Sequence, residues 1–202
     1  RNPSMRFSAS LLIACEGFMF APGAFAQGPT VEIDLTANEV ISQGRTGTCW
    51  SFSTTSFLES EAFRITGELH DFSEMANVRV IYPEKVERYA RYQGKHQFGP
   101  GGLSHDVTRA AAKYGILPQS VYEGGQAAGS YDHDALDGMM SSMAEASMNQ
   151  SGHLQPASIA AVEGALDAYL GPLPESFSYQ GQTYTPASFR DAMGIDPTAY
   201  AT

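Results

Sequence analysis

Apolar residues recur at helical spacing through most of the chain, cut into segments by glycine, proline and short polar runs. Cys49 to about Ile65 predicts a first helix, with Thr48 as its N-cap and Gly67 as its stop. Ser51, Ser53, Thr54, Thr55 and Ser56 are mediocre helix formers, so this helix needs tertiary support, and its small side chains predict a central element packed closely on both sides. Ser73 caps a second helix in which Met75, Val78, Tyr82, Val86 and Tyr89 share a face, with Pro83 either kinking or dividing it. Leu103, Val107, Ala110, Ala111 and Tyr114 form the stripe of a third, closed by Gly115. Two more helices are predicted around 135–148 and 158–170. A small hairpin follows over Phe177 to Thr185, with Gly181 in its middle, then a short capped helix from Thr185-Pro186 to Met193-Gly194. Gln27 to Thr46 is turn-rich, and the chain has no internal repeat.

Composition narrows the function classes. With 202 residues, 43% of them hydrophobic, the chain has enough apolar surface for an ordinary core in one domain or two small ones. Its net charge of −10 disfavours a phosphate-backbone binder or a protein of anionic membrane surfaces. The imbalance is uneven, since the stretch after Tyr122 carries a single base, Arg190. Two cysteines, Cys15 and Cys49, exclude a disulfide-dense scaffold and a multi-cysteine zinc site.

The N-terminal stretch reads as an export signal spanning 1–26. Met5-Arg6 precedes a mostly apolar run from Phe7 to Phe20, and Ala24-Phe25-Ala26 before Gln27 is a small-x-small cleavage site. Leu12-Ile13-Ala14-Cys15 offers a second processing route, as a lipobox whose Cys15 would carry the anchor. Either route predicts an exported protein. Cleavage after Ala26 would leave Cys49 as the lone thiol of the mature chain in an oxidising compartment, where an unpaired cysteine needs a reason.

That reason lies in Gln43-Gly44-Arg45-Thr46-Gly47-Thr48-Cys49-Trp50-Ser51-Phe52. A cysteine in the first turn of a helix has backbone N–H groups and the positive end of the dipole beside its sulfur, which favours the nucleophilic thiolate. Gln43, across a glycine-containing loop, can return its amide toward the same point and share an oxyanion site with the Cys49 N–H. Gly101-Gly102 lets a peptide approach the backbone and pair as an added strand, with Leu103 facing an apolar substrate side chain.

The ten-residue segment resembles the active-site motif of papain-like cysteine peptidases, Gln-Gly-x-x-Gly-x-Cys-Trp-x-Phe, with the Gln-to-Cys spacing intact. Thr46 stands where secreted members usually have a disulfide-forming cysteine, as in the bleomycin hydrolase and aminopeptidase C branch. Ser73-Glu74-Met75, Tyr82 with Glu84-Lys85-Val86-Glu87, and Gly101-Gly102 ahead of Lys113-Tyr114-Gly115-Ile116-Leu117-Pro118 are similar to that branch too. The likeness continues more weakly through Leu166 to Leu170 and Tyr184-Thr185-Pro186, which look like its inserted helical region, here about 131–202. The resemblance implies an α+β papain-like fold, of which 27–202 would be the mainly helical, cysteine-bearing part with a small hairpin. It implies a cysteine-type peptidase, most simply an aminopeptidase, with peptide substrates, no nucleic acid, no metal or other cofactor, and a homo-oligomeric full-length form. Cys49 and Gln43 would be catalytic; Gly101, Gly102 and Leu103 would bind substrate.

Papain-type chemistry also needs a histidine and an orienting Asn or Asp, normally ~130–150 residues beyond the cysteine. No histidine follows His153 and no asparagine follows Asn149. His70, His96, His105, His133 and His153 all fall in the part the resemblance assigns to the cysteine-bearing half, and each is read as a surface or helix-face residue. The expectation is therefore a fragment that carries the nucleophile without its base and lacks the β-rich second half. Cys49 lies 22 residues after Gln27, which leaves no room for a long inhibitory prosegment. Two other classes compete: a thiol redox protein, which would need a resolving cysteine that the chain lacks, and a helical binding module with an inert, buried Cys49.

Overall fold

The computed structural model describes residues 36–125, 130–148 and 155–200. The signal segment, Cys15, His153 and Asn149 lie outside the described residues. Helix α1 spans Cys49–Thr66 and ends at Gly67 in the left-handed conformation, whose N–H returns to the Phe63 carbonyl. Helix α2 spans Glu74–Arg91, and Ser73 caps it by accepting from the Ala76 N–H at 3.1 Å. Helices α3, Ser104–Lys113, α4, Asp134–Met148, and α5, Pro156–Leu170, follow. Then come strands β1, Phe177–Tyr179, and β2, Gln182–Tyr184, antiparallel with Phe177 opposite Tyr184, and helix α6, Pro186–Ala192. A 3-10 turn at Pro197–Ala199 was not anticipated from the pattern.

The local signals behave as their chemistry dictates. The hairpin turns through Gln180 and Gly181, both at positive φ. Thr185 and Ser188 cap α6 reciprocally, with Pro186 at its start. Of the two outcomes open at Pro83, kinking or dividing, the division does not occur: α2 runs through it as one 18-residue helix. One expectation needs correcting. The helix at the centre is α2, which packs against α1, α3, α4 and α5, whereas among the described helices α1 meets α2 and α3.

Helix α1 is accordingly buried on one face, along Trp50, Ser51, Thr54, Thr55, Leu58, Glu59 and Ala62, and open along Cys49, Ser53, Ser56 and Phe57. Its hydroxyl residues serve the α1–α2 seam. Ser51 donates to the Glu74 carbonyl at 2.7 Å, and the Asn77 amide donates to Ser51 Oγ at 3.2 Å and Thr55 Oγ1 at 3.0 Å. A helix of poor intrinsic propensity is thus held by buried, satisfied polar contacts as well as by packing. Arg79, buried on α2, binds Glu163 and Asp167 and fixes α5. Phe189 of α6 sits fully buried among the rings of Phe72, Phe177, Tyr179 and Tyr184.

Candidate active site

The loop before α1 is held by its neighbours on both sides. Gly44, at positive φ, lies so close to Tyr131 that a Cβ there would sit 2.3 Å from its carbonyl oxygen, and only glycine permits this approach. The Arg45 N–H donates to Tyr131 O at 2.9 Å, the His133 N–H donates to Arg45 O at 3.1 Å, and the Arg45 guanidinium binds Asp132 and Asp134. Thr48 occupies the N-cap position without capping through its side chain; its hydroxyl pairs instead with Thr46 Oγ1 at 2.6 Å.

Cys49 is therefore delivered as the first residue of α1, and it is exposed. The inert, buried thiol of the binding-module alternative is not what the structure contains. Neither the Sγ nor the N–H of Cys49 has a hydrogen-bond partner among the described residues, so donor and nucleophile are both free at the positive end of the helix. Gln43 is half-buried in the same loop, and its amide donates to the Thr46 carbonyl at 2.6 Å, while Thr46 Oγ1 donates back to the Gln43 carbonyl. One amide proton is thus committed within the loop and the other is uncommitted.

The glycine pair lies against this loop. A Cβ on Gly47 would meet Pro100 Cγ at 2.5 Å and the Gly101 nitrogen at 3.7 Å, and one on Gly102 would meet the Trp50 ring at 2.7 Å. Trp50 Nε1 donates to the Pro100 carbonyl at 3.0 Å. Residues on both sides of Cys49 thereby clamp the segment 100–102. Gly102 has neither a donor for its carbonyl nor an acceptor for its N–H among the described residues, as an unpaired strand edge would. Leu103 is 63% exposed and precedes α3, its N–H accepted by Asp106 Oδ2 at 3.0 Å.

Sequence reasoning missed the group that holds this segment in place. Lys85 Nζ donates to the carbonyls of Gly99, Pro100 and Gly101 at 3.2, 3.1 and 2.7 Å, and lies 5.2 Å from the ring centres of both Trp50 and Tyr82. Burial pulls its pKa down to about 8. The available signal was a lysine three residues after Tyr82 and four before Tyr89, on the face of α2 assigned to the core. Also missed was a pair of buried carboxyls. Glu59 and Glu74 line a cavity of about 510 Å³ behind α1, and burial pushes Glu59 up to about 7 and Glu74 up to about 8.

No described histidine is hydrogen-bonded to Cys49. His70 and His133 are each 3% exposed, so reading them as surface or helix-face residues was wrong: His70 packs among Phe72, Tyr179 and Phe189, and His133 beside Tyr131. Burial pulls the pKa of both down. His96 is exposed, and His105, half-buried, has Nε2 3.7 Å from Asp106 Oδ1, too far for a hydrogen bond. The cleft beside Gly101, Gly102 and Leu103 has about 540 Å³ and is lined also by Lys85, Arg88, His96 and His105. No group of His, Cys, Asp and Glu among the described residues is arranged to hold a metal ion, and no helix there is long and apolar enough to cross a membrane.

No family model matches the chain, and no curated protein matches it. Among solved structures it is similar to PepW from Lactobacillus rhamnosis HN001, with a TM-score of 0.54 and 18% identity over 82% of this chain and 46% of that one. The chain thus spans less than half the length of that structure. The likeness is one of fold: the described residues form six helices and a two-stranded antiparallel hairpin, a loose α+β arrangement.

Proposed function

We propose that this chain is the nucleophile-bearing part of a cysteine-type peptidase. The observation that carries the reading is the exposed Cys49 at the start of α1, flanked through Gly47 and Trp50 by a glycine segment with an unpaired backbone edge. The motif resemblance and the structural neighbour PepW support the same class. The Cys49 thiolate attacks the scissile carbonyl, forming an S–C bond; the Cys49 N–H and the second proton of the Gln43 amide receive the developing oxyanion. The C–N bond then breaks, the amine leaves with a proton from a general acid, and water hydrolyses the thioester. That acid is an imidazole supplied from outside the described residues, in the full-length enzyme. Cleavage near a free N-terminus is the finer reading, and it follows from the resemblance to the bleomycin hydrolase and aminopeptidase C branch.

Two measurements test the proposal. Iodoacetamide alkylates Cys49 in the folded chain as readily as in the unfolded one, because the residue is exposed at the start of α1. A full-length form turns over aminoacyl fluorogenic substrates and loses this activity in Cys49→Ala. The 202-residue chain alone shows little turnover, since general acid–base catalysis is worth ~10²–10⁴ in rate. Activity that survives Cys49→Ala removes the assignment.

A further inference from the structure

The cleft beside Gly102 has a charge that the peptidase reading leaves unused. Its wall carries Lys85, Arg88, His96 and His105 against one acid, Asp106, in a chain whose net charge is −10. The commitments of these groups differ. Asp106 is already neutralised: Oδ1 accepts from Arg109 at 2.9 Å and Oδ2 from the Leu103 N–H at 3.0 Å. Lys85 points inward, with its three protons on three carbonyls. The carboxylates along the same stretch of α2 are taken as well, Glu84 by Arg109 and Lys113 and Glu87 by Arg91. Arg88, half-buried, forms no ion pair and no side-chain hydrogen bond with any described residue. It is an unspent guanidinium with five donors, on the wall of a cleft whose rim holds a free backbone edge.

We infer that this cleft is a carboxylate subsite, in which Arg88 selects an acidic side chain on a peptide paired with Gly102. The inference rests on the peptidase reading above and deepens it by naming a substrate class. The peptide would gain two backbone hydrogen bonds from Gly102, and alternate side chains of an added strand point to opposite faces, so one of them enters the cleft. His105 and His96 line the same cleft, with His96 Nδ1 already donating to the Gln97 carbonyl at 2.9 Å. The positive wall also opposes a lysine or arginine at the same position, which makes the preference one of sign as well as of contact.

The test uses the chain as it is and reads covalent labelling of Cys49 rather than turnover. Three peptidyl acyloxymethyl ketones, differing only in a Glu, Gln or Lys next to the residue that carries the electrophile, are reacted with the protein, and second-order rate constants are taken from intact mass. The Glu probe labels Cys49 roughly tenfold faster than the Gln probe, and the Lys probe more slowly than either. Arg88→Gln brings the Glu-to-Gln ratio to about one, Arg88→Lys retains part of the ratio, and Arg88→Glu inverts the order in favour of Lys. Equal Glu and Gln rates in the unmodified protein overturn the subsite and leave the peptidase reading standing. So does an Arg88→Gln variant that loses thermal stability at an unchanged ratio, because Arg88 would then only complement the C-terminal end of α2. If no peptidyl probe labels Cys49 faster than a matched non-peptide electrophile, the peptidase reading fails first, and the subsite with it.

Discussion

Replacing Glu74 by glutamine should stabilise the fold at neutral and alkaline pH and leave it almost unchanged at acid pH. Glu74 is 2% exposed, and its Oε2 has no hydrogen-bond partner. Burial, with Glu59 and Asp71 adding to it, pushes its pKa from the ordinary 4.5 up to about 8. Because the folded chain holds this proton more tightly than the unfolded chain, stability is fully present below the ordinary value. It falls as pH rises and levels off above about 8. Integrated over the shift, the loss between about pH 5 and pH 7.5 is ~3 kcal/mol. For a domain of this size that is a drop in Tm of roughly 6–12 °C. Glutamine reproduces the shape of the neutral acid at every pH, so Glu74→Gln should not share this loss. His70 and His133, held neutral by burial, act in the opposite sense: their contribution is present above the ordinary imidazole value of 6.5 and is lost as pH falls. Lys85 adds a gain only above about 8. Subtracting the variant's curve from that of the unmodified protein removes these shared terms. The assay is thermal unfolding by circular dichroism from pH 5 to 8, and the gap between the curves should open steadily in favour of Gln. A constant gap would refute the reasoning, since it would mean that Glu74 titrates alike in the folded and unfolded chains.

Three further substitutions probe the segment beside Cys49. Gly102→Ala drives a Cβ to within 2.7 Å of the Trp50 ring and 2.9 Å of Asp106 Oδ2; it should cost ~1–3 kcal/mol in urea unfolding and slow peptidyl labelling of Cys49. Gly101→Ala meets nothing within 4 Å and should change stability by less than ~0.5 kcal/mol, so the pair separates packing from mere loss of glycine. Lys85→Met strips the donor from three carbonyls and should cost ~1–3 kcal/mol, with faster amide hydrogen exchange confined to the neighbourhood of 99–103; unchanged exchange there would show that Trp50 and Pro100 hold the segment without it.

What the sequence determined by itself was whatever a few neighbouring residues decide. Ser73 caps α2, Gly67 stops α1, Gly181 turns the hairpin and Thr185 starts α6, because each depends on one side chain or one φ within a turn of its own position. The placement of Cys49 at a helix start is of the same kind, and so was the motif around it. Tertiary structure decided the rest. Thr48 sits at the cap position but spends its hydroxyl on Thr46, in a loop that packs against Tyr131 through Gly44. Pro83 stays within α2 because four neighbouring helices pack around that element, and their combined burial outweighs one lost backbone bond. His70 and His133 were expected on the surface or a helix face, and no local pattern marks Glu59 or Glu74 as buried, yet all four are, a cost that only the packing of distant segments can impose. Lys85 is the clearest case: its charge is legible in the chain, but the three carbonyls and two rings that receive it come together only when α1, α2 and the glycine segment meet. Local pattern specifies where elements begin and end, whereas which polar group is buried, and against what, is a property of contacts between residues far apart in the sequence.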